Sequence, residues 1–292
     1  MSKKLSVLVM GATGNQGGAV VRNLLTQGHR IRTLTRNPDS QKSKKLADQG
    51  VEVIKGDFTD SDSLAKAAAG MDTVFAMTTP FEAGVEAEAK QGIDLADAVK
   101  QAGVGHLIFT SVASADRNTR IPHFDSKYKV EQHIASLKIP YTIVAPVFFT
   151  ENWFAPWFLP SIQEGTLKFA MPADRPLQQV SVDSIGAFSA AMIERREQVF
   201  GKRFDIAGDE LTGKETVAAI SKASGRNIGY EGFDPEFMRA DNPDFAEMFS
   251  WFNKVGYSAE IQNLRKDFPE VQWQNFQDWT KQQDWSVIKQ TA

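Results

Sequence analysis

Gly11, Gly14 and Gly17 stand three residues apart in the run Gly11-Ala12-Thr13-Gly14-Asn15-Gln16-Gly17. Glycines at this spacing suit a turn that holds phosphate. The first permits a tight turn, the second lets the main chain approach a pyrophosphate, and the third allows a helix to pack closely on a strand. The chemistry needs a strand before the turn and a helix after it. The helix N-terminus supplies unpaired N–H groups and the positive end of its dipole. Leu5–Met10 (LSVLVM) reads as that strand and residues 16–27 as that helix. The run is therefore expected to bind a dinucleotide.

Arg36 closes the second apolar run, nineteen residues after Gly17. At this strand end an acidic residue would hold a ribose 2′-hydroxyl, whereas an arginine accommodates a 2′-phosphate. No Asp or Glu precedes Asp39 here, which favours NADP(H) over NAD(H). A solvated arginine is the competing explanation, and Lys42 and Lys44 are explained as well by helix solvation as by phosphate. Asp57 and Phe58 follow the third strand. Asp57 either accepts from an adenine amine, with Phe58 against the base, or merely turns the chain. Thr78-Thr79-Pro80 follows the fourth strand. Ligands of open parallel sheets bind beyond the carboxyl ends of strands, so this loop lines the groove unless it is a plain connection.

Ser111 ends the fifth strand, and His123-Phe124-Asp125-Ser126-Lys127 follows. A Ser followed by Tyr-x-x-x-Lys on a helix is the short-chain dehydrogenase/reductase arrangement, in which positions i and i+4 share one helix face. Lys127 stands at the Lys position, expected to hold a nicotinamide ribose. His123 occupies the Tyr position; it is either a proton donor or a polar residue at a helix start. Tyr128 lies one residue past the lysine and cannot substitute. Ser111 is a candidate hydrogen-bond donor to the acceptor. Beyond the sixth strand, Pro146–Phe154 gathers aromatic residues around Glu151 and Asn152, as a small-molecule pocket would; packing between lobes accounts for most of these aromatics equally. Met248, Trp251 and Phe252 are candidates for closing the same cleft.

These residues need a scaffold. Apolar runs at 5–10, 30–35, 51–54, 72–77, 105–111 and 140–145 alternate with helical patterns at 16–27, 40–49, 61–69, 85–102 and 123–137. Alternation of this kind gives an α/β fold, a Rossmann-type doubly wound parallel sheet. Residues 1–146 form the NAD(P)-binding domain. All six tryptophans lie beyond residue 146, so residues 147–292 form a smaller, aromatic-rich α+β lobe for substrate or partner. Residues 178–207 are expected to return to the first domain: Val180–Asp183 as a strand, Ser184–Glu194 as a helix, and Phe204–Ala207 as another strand. Thr212 is placed to cap a helix that runs to Ala223.

Composition narrows the field. The chain has 292 residues, 42% hydrophobic and 24% charged, with net charge −3. No basic stripe favours direct nucleic-acid binding. The absence of cysteine excludes disulfides, thiolate nucleophiles and thiolate metal sites, and the four histidines show no metal-ligand spacing. The first apolar run is too short for a signal peptide, and no run reaches the roughly 20 apolar residues of a membrane span. A cytoplasmic protein is expected.

The ordered set GATGNQG, TRNP (35–38), GDFTD (56–60), HFDSK (123–127), FFTEN (148–152) and VSVDSIG (180–186) resembles the NmrA-like family, an atypical branch of the short-chain dehydrogenase/reductases. The resemblance runs through almost the whole chain. It implies NADP(H) held by Gly11–Gly17, Arg36, Asp57 and Phe58, with contacts from Thr78, Thr79, Pro80, Lys127, Phe149, Thr150, Glu151 and Asn152. It leaves two readings open. One is an NADPH-dependent oxidoreductase acting on a small planar acceptor such as a quinone. The other is a non-catalytic sensor of the NADPH/NADP+ ratio that regulates a protein partner. Pairing as a homodimer is open.

Overall fold

The computed structural model describes residues 4–288; Met1–Lys3 and the last four residues of the expected second lobe lie outside them. Strand and helix alternate from the start: β1 (Ser6–Val9), α1 (Asn15–Thr26), β2 (Arg30–Thr35), α2 (Gln41–Asp48), β3 (Glu52–Lys55), α3 (Ser61–Ala68), β4 (Thr73–Met77), α4 (Val85–Gln101), β5 (Leu107–Thr110), α5 (Pro122–Ser136) and β6 (Tyr141–Pro146). Then come β7 (Phe148–Phe149), α6 (Leu159–Gln163), β8 (Thr166–Phe169), β9 (Pro176–Val180), α7 (Val182–Glu194), α8 (Arg196–Val199), β10 (Lys202–Ile206), β11 (Asp209–Thr212), α9 (Gly213–Ser224), β12 (Gly229–Gly232) and α10 (Pro243–Lys254). Shorter helices α11 (Ile261–Asp267) and α12 (Phe276–Lys281) follow.

Seven strands form one parallel sheet in the order β10-β6-β5-β4-β1-β2-β3. Successive side chains of a strand face opposite ways, and the sheet is buried on both sides. Val7, Val9, Phe75 and Ile108 face α1 and α7, while Leu8, Met10, Val74 and Phe109 face α3, α4 and α5. This is the near-continuous apolar character that a doubly covered parallel sheet requires. The strand order reverses between β1 and β4, which pair in register from Val7↔Thr73 to Val9↔Phe75. A crevice therefore opens beyond their carboxyl ends, where the glycine turn and Thr78 lie.

Val180–Asp183 departs from expectation. The strand is Pro176–Val180, and it pairs with β7 and β11 in a separate three-stranded sheet. Ser181 ends it by capping α7, its hydroxyl accepting from the Ser184 N–H at 3.1 Å. It is α7 that returns to the first sheet, lying against α1. A Cβ on Gly186 would come within 2.6 Å of the Ala19 backbone, so only glycine allows the helices this close. Lys202–Ile206 joins β6 as the edge of the large sheet. Thr212 caps α9 with a reciprocal bond to Glu215. A second core, rich in Phe and Trp, forms between β8, α9, α10 and α12.

Candidate functional site

The glycine turn follows from its local sterics. Gly11 takes φ +66°, a region that L residues disfavour, and its carbonyl accepts from the Gly14 N–H at 2.9 Å. A Cβ on Gly17 would lie 2.4 Å from the Gly11 oxygen. On Gly14 it would meet only that oxygen, at 3.3 Å, so its outer side is open. Gly14 is the N-cap of α1, no side chain caps it, and the first turn carries no acid. The N-terminus of α1 thus presents unpaired donors to a groove of about 470 Å³, lined by Thr13, Gly14 and Asn15 and edged by Arg22, Lys42 and Lys45. Lys45, in place of Lys44, reaches this rim; helical phase puts 42 and 45 on one face.

Arg36 follows β2 directly, with its guanidinium 3.2 Å from Glu82 in an exposed pair. Asp57 turns the chain, one oxygen accepting from both the N–H and hydroxyl of Thr59 at 2.9 Å. These bonds, with a smaller contribution from Arg36, hold its carboxyl below the usual range. Phe58 is half-buried against the sheet face carrying Ile54.

A second cavity, about 270 Å³, opens beyond β4, β5 and β6. Its walls are mainly aromatic: Phe81, Phe148, Phe149, Trp157, Phe245 and Tyr257. Thr78, Thr79, Pro80, Ser111, His123, Lys127 and Asn152 also reach it. Asn15 borders the groove and Gln16 borders this cleft, so the two flank the start of α1. Gln16 Oε1 and Thr110 Oγ1, on two residues that line the cleft, are buried and without partners among the described residues. Buried polar atoms are nearly always satisfied, so these two are candidates for a polar ligand that enters beside them.

Lys127 is the central cation of the cleft. Its Nζ donates to the Thr78 carbonyl at 2.6 Å and hydroxyl at 3.1 Å, and pairs with Glu88 at 2.9 Å. Burial pushes its pKa down, opposed by Glu88 and Glu131. Glu88 was not singled out from the sequence. Its carboxylate also accepts from Ser126 at 2.5 Å. The one available signal was an acid followed by small residues on the apolar face of a helix.

His123 lies one turn before Lys127 on α5. Its Nδ1 is hydrogen-bonded to Asp244 of α10, another residue the sequence did not reveal. Ser111 departs from its expected role. Its hydroxyl donates to Glu131, which in turn takes the Arg203 guanidinium at 2.9 Å. Burial raises the Glu131 carboxyl. The Ser111 proton is thus committed inside the protein.

Glu151 also departs from expectation. It turns from the aromatic cleft toward the groove at the glycine turn, where it accepts from the Val182 N–H and the Trp279 indole, both at 3.0 Å. Burial raises its carboxyl. Thr150 is buried, its hydroxyl donating to Glu151 at 3.2 Å. Asn152 alone of the expected polar pair reaches the cleft. Met248 lines it as well, but Trp251 and Phe252 pack into the Phe- and Trp-rich core. Among the described residues no cluster of acids and histidines could hold a metal, and no helix is long and apolar enough to cross a membrane.

Comparison with known proteins agrees with this fold. The NmrA-like family model matches residues 3–284. An NmrA-like family domain-containing protein of Dictyostelium discoideum is 31% identical over 274 residues, covering 88% of this chain and 89% of that one. Among solved structures, Citrobacter sp. triphenylmethane reductase complexed with NADP(H) has a TM-score of 0.80 at 24% identity, covering 95% of this chain and 99% of that one. The negative transcriptional regulator NmrA in complex with NADP has a TM-score of 0.80 at 20% identity, covering 96% and 95%. At these identities the two structures share the fold.

Proposed function

This chain belongs to the NmrA-like family, and we propose that it is an NADP(H)-dependent reductase of small planar acceptors such as quinones. One observation carries the reading: the phosphate groove and an aromatic cleft flank the start of α1, and the cleft's only buried cation, among the described residues, is Lys127. The residues present suit the cofactor. Gly14 leaves room for a pyrophosphate, the α1 N-terminus with Lys42 and Lys45 offsets its charge, and Arg36 meets the 2′-phosphate. Asp57 and Phe58 border the adenosine end, Thr78–Pro80, Phe149 and Asn152 border the nicotinamide end, and Glu151 borders the phosphate groove. When bound, NADPH supplies a hydride.

The chain's own residues do the rest. Lys127, fixed by Thr78 and Glu88, orients the ribose hydroxyls. The aromatic walls exclude water and stack a planar acceptor, and holding the partners together supplies much of the rate. His123 delivers the proton. In this reading the acceptor is a small molecule. Steady-state oxidation of NADPH with a panel of quinones, azo dyes and enones tests this; turnover with a quinone is expected, and none above background with any acceptor overturns it.

A sensor without turnover has one observation in its favour. Glu82, which pairs with Arg36, lies beside Phe81, whose ring meets Trp157 and Phe245 at the cleft mouth. Phosphate at Arg36 would release Glu82 and so bear on that wall. Such a sensor needs the two cofactor forms to act differently. Equal affinities by calorimetry and equal shapes by scattering would remove its basis. With no basic face, any gene-regulatory role runs through a protein partner.

A further inference from the structure

We propose that Asp244 is a positioning residue for His123, a carboxylate from the aromatic lobe that aims the imidazole into the cleft for proton delivery. The proposal rests on the reductase reading above.

The pair joins residues 121 apart in sequence. Both are largely enclosed, with side chains 15% and 25% exposed. Asp244 sits in the first turn of α10, which Asn242 caps by accepting from the Phe245 N–H at 3.1 Å. The carboxylate therefore rides on a fixed helix end. The imidazole is clamped from two sides. Phe124 meets it edge to face at 4.8 Å between centroids, and Phe245, next to Asp244, meets it at 6.3 Å. Nδ1 is taken by Asp244, while Nε2 has no partner among the described residues and His123 borders the cavity. A carboxylate on one ring nitrogen fixes the tautomer and supports the charged ring. Asp125, on His123's own helix, is a second nearby acid whose carboxyl burial raises, but the hydrogen bond to the ring comes from Asp244.

The step balances. Reduction of a quinone carbonyl breaks the C=O π bond; carbon gains the hydride supplied by NADPH and oxygen gains a proton, and the resulting hydroxy-enone becomes the hydroquinone as that carbon loses a proton to water and the second carbonyl oxygen gains one. The Nε2–H bond of charged His123 breaks as the O–H bond forms, and water reprotonates the ring. A triarylmethyl dye cation differs in its needs. Its central carbon takes a hydride and becomes neutral, with no proton required. The two acceptors thus separate proton delivery from every other property of the cleft.

The experiment measures kcat for 1,4-naphthoquinone and for crystal violet with NADPH as donor. In Asp244→Asn the quinone-to-dye ratio is expected to fall about tenfold or more, within the range general acid catalysis contributes. Asp244→Glu should recover part of it, and in a His123→Gln background Asp244→Asn should add nothing further. A second readout needs no cofactor: NMR of protein labelled with 15N-histidine should show a slowly exchanging Nδ1 proton that is absent from His123→Gln and lost in Asp244→Asn. An unchanged ratio, additive effects, or a selective loss in Tyr257→Phe in place of Asp244→Asn would overturn the proposal. Wild-type protein that reduces neither acceptor overturns the reductase reading and this role together. Reduction of both with an unchanged ratio overturns the role of Asp244 alone.

Discussion

Glu88 and Lys127 form an ion pair of 2.9 Å beneath the cleft, the glutamate side chain fully buried and the lysine 11% exposed. The two helices that carry them, α4 and α5, touch closely enough that a Cβ on Gly92 would fall 2.6 Å from Val130. The pair explains how a lysine survives where burial disfavours its charge.

Removing either partner leaves an uncompensated buried charge. Glu88→Gln and Lys127→Met should each cost about 3–5 kcal/mol in urea denaturation. The double variant should recover much of that loss, since no charge remains to strand. Its cofactor affinity should stay low, because Lys127 is gone. Additive losses would show that the two do not act as a pair.

Two glycines of the turn should separate folding from binding. Gly14→Ala keeps φ at −95° and meets only the Gly11 oxygen at 3.3 Å. Its Tm should change little while NADPH affinity, by calorimetry, falls. Gly17→Ala meets backbone at 2.4 Å and should lose about 1–3 kcal/mol of stability along with binding. Equal behaviour of the two variants would contradict the division of roles.

Arg36 should read the 2′-phosphate. A hydrogen bond to a charged group contributes about 1.5–3 kcal/mol, so Arg36→Ala should weaken NADPH binding about 10- to 100-fold and leave NADH binding unchanged. Melting should hardly shift, because the pair with Glu82 is exposed on both sides and such pairs contribute little. A parallel loss of NADH affinity would count against this role.

His106 should steepen acid unfolding. Thr142 donates its hydroxyl to the Val199 carbonyl, so the His106 Nε2 must carry the hydrogen it gives Thr142 at 2.9 Å. Nδ1 is then buried without a partner among the described residues, and burial, with Arg196 nearby, pushes the pKa down to about 3 from 6.5. The folded pKa lies below the unfolded one, so the unfolded chain takes the proton first. Stability is full above pH 6.5 and is lost as pH falls toward about 3, by up to about 4–5 kcal/mol. His106→Gln should be flatter across that window in denaturant titrations; an equal slope would remove His106 as the cause.

The turn, the strands and the caps were legible because each is decided by residues close in sequence. Leu5–Met10 leads into a glycine run, Thr212 precedes Glu215 by three, and both patterns carry their reason locally. Val180 misled because an apolar alternation marks a strand without saying which sheet it joins. Ser111 and Glu151 misled for a related reason. Their types suit a ligand, and only the fold reveals that Glu131, Val182 and Trp279 have already claimed them.

From residue types and spacing alone came a phosphate-binding crossover, an arginine at the second strand end and a lysine one turn past a histidine. The tertiary structure decided the partners: Glu88 for Lys127 and Asp244 for His123. Periodicity and capping act over about one helical turn, whereas these contacts span 39 and 121 positions. Such contacts exist only once α4 and α5 have packed together and α10 has packed against α5.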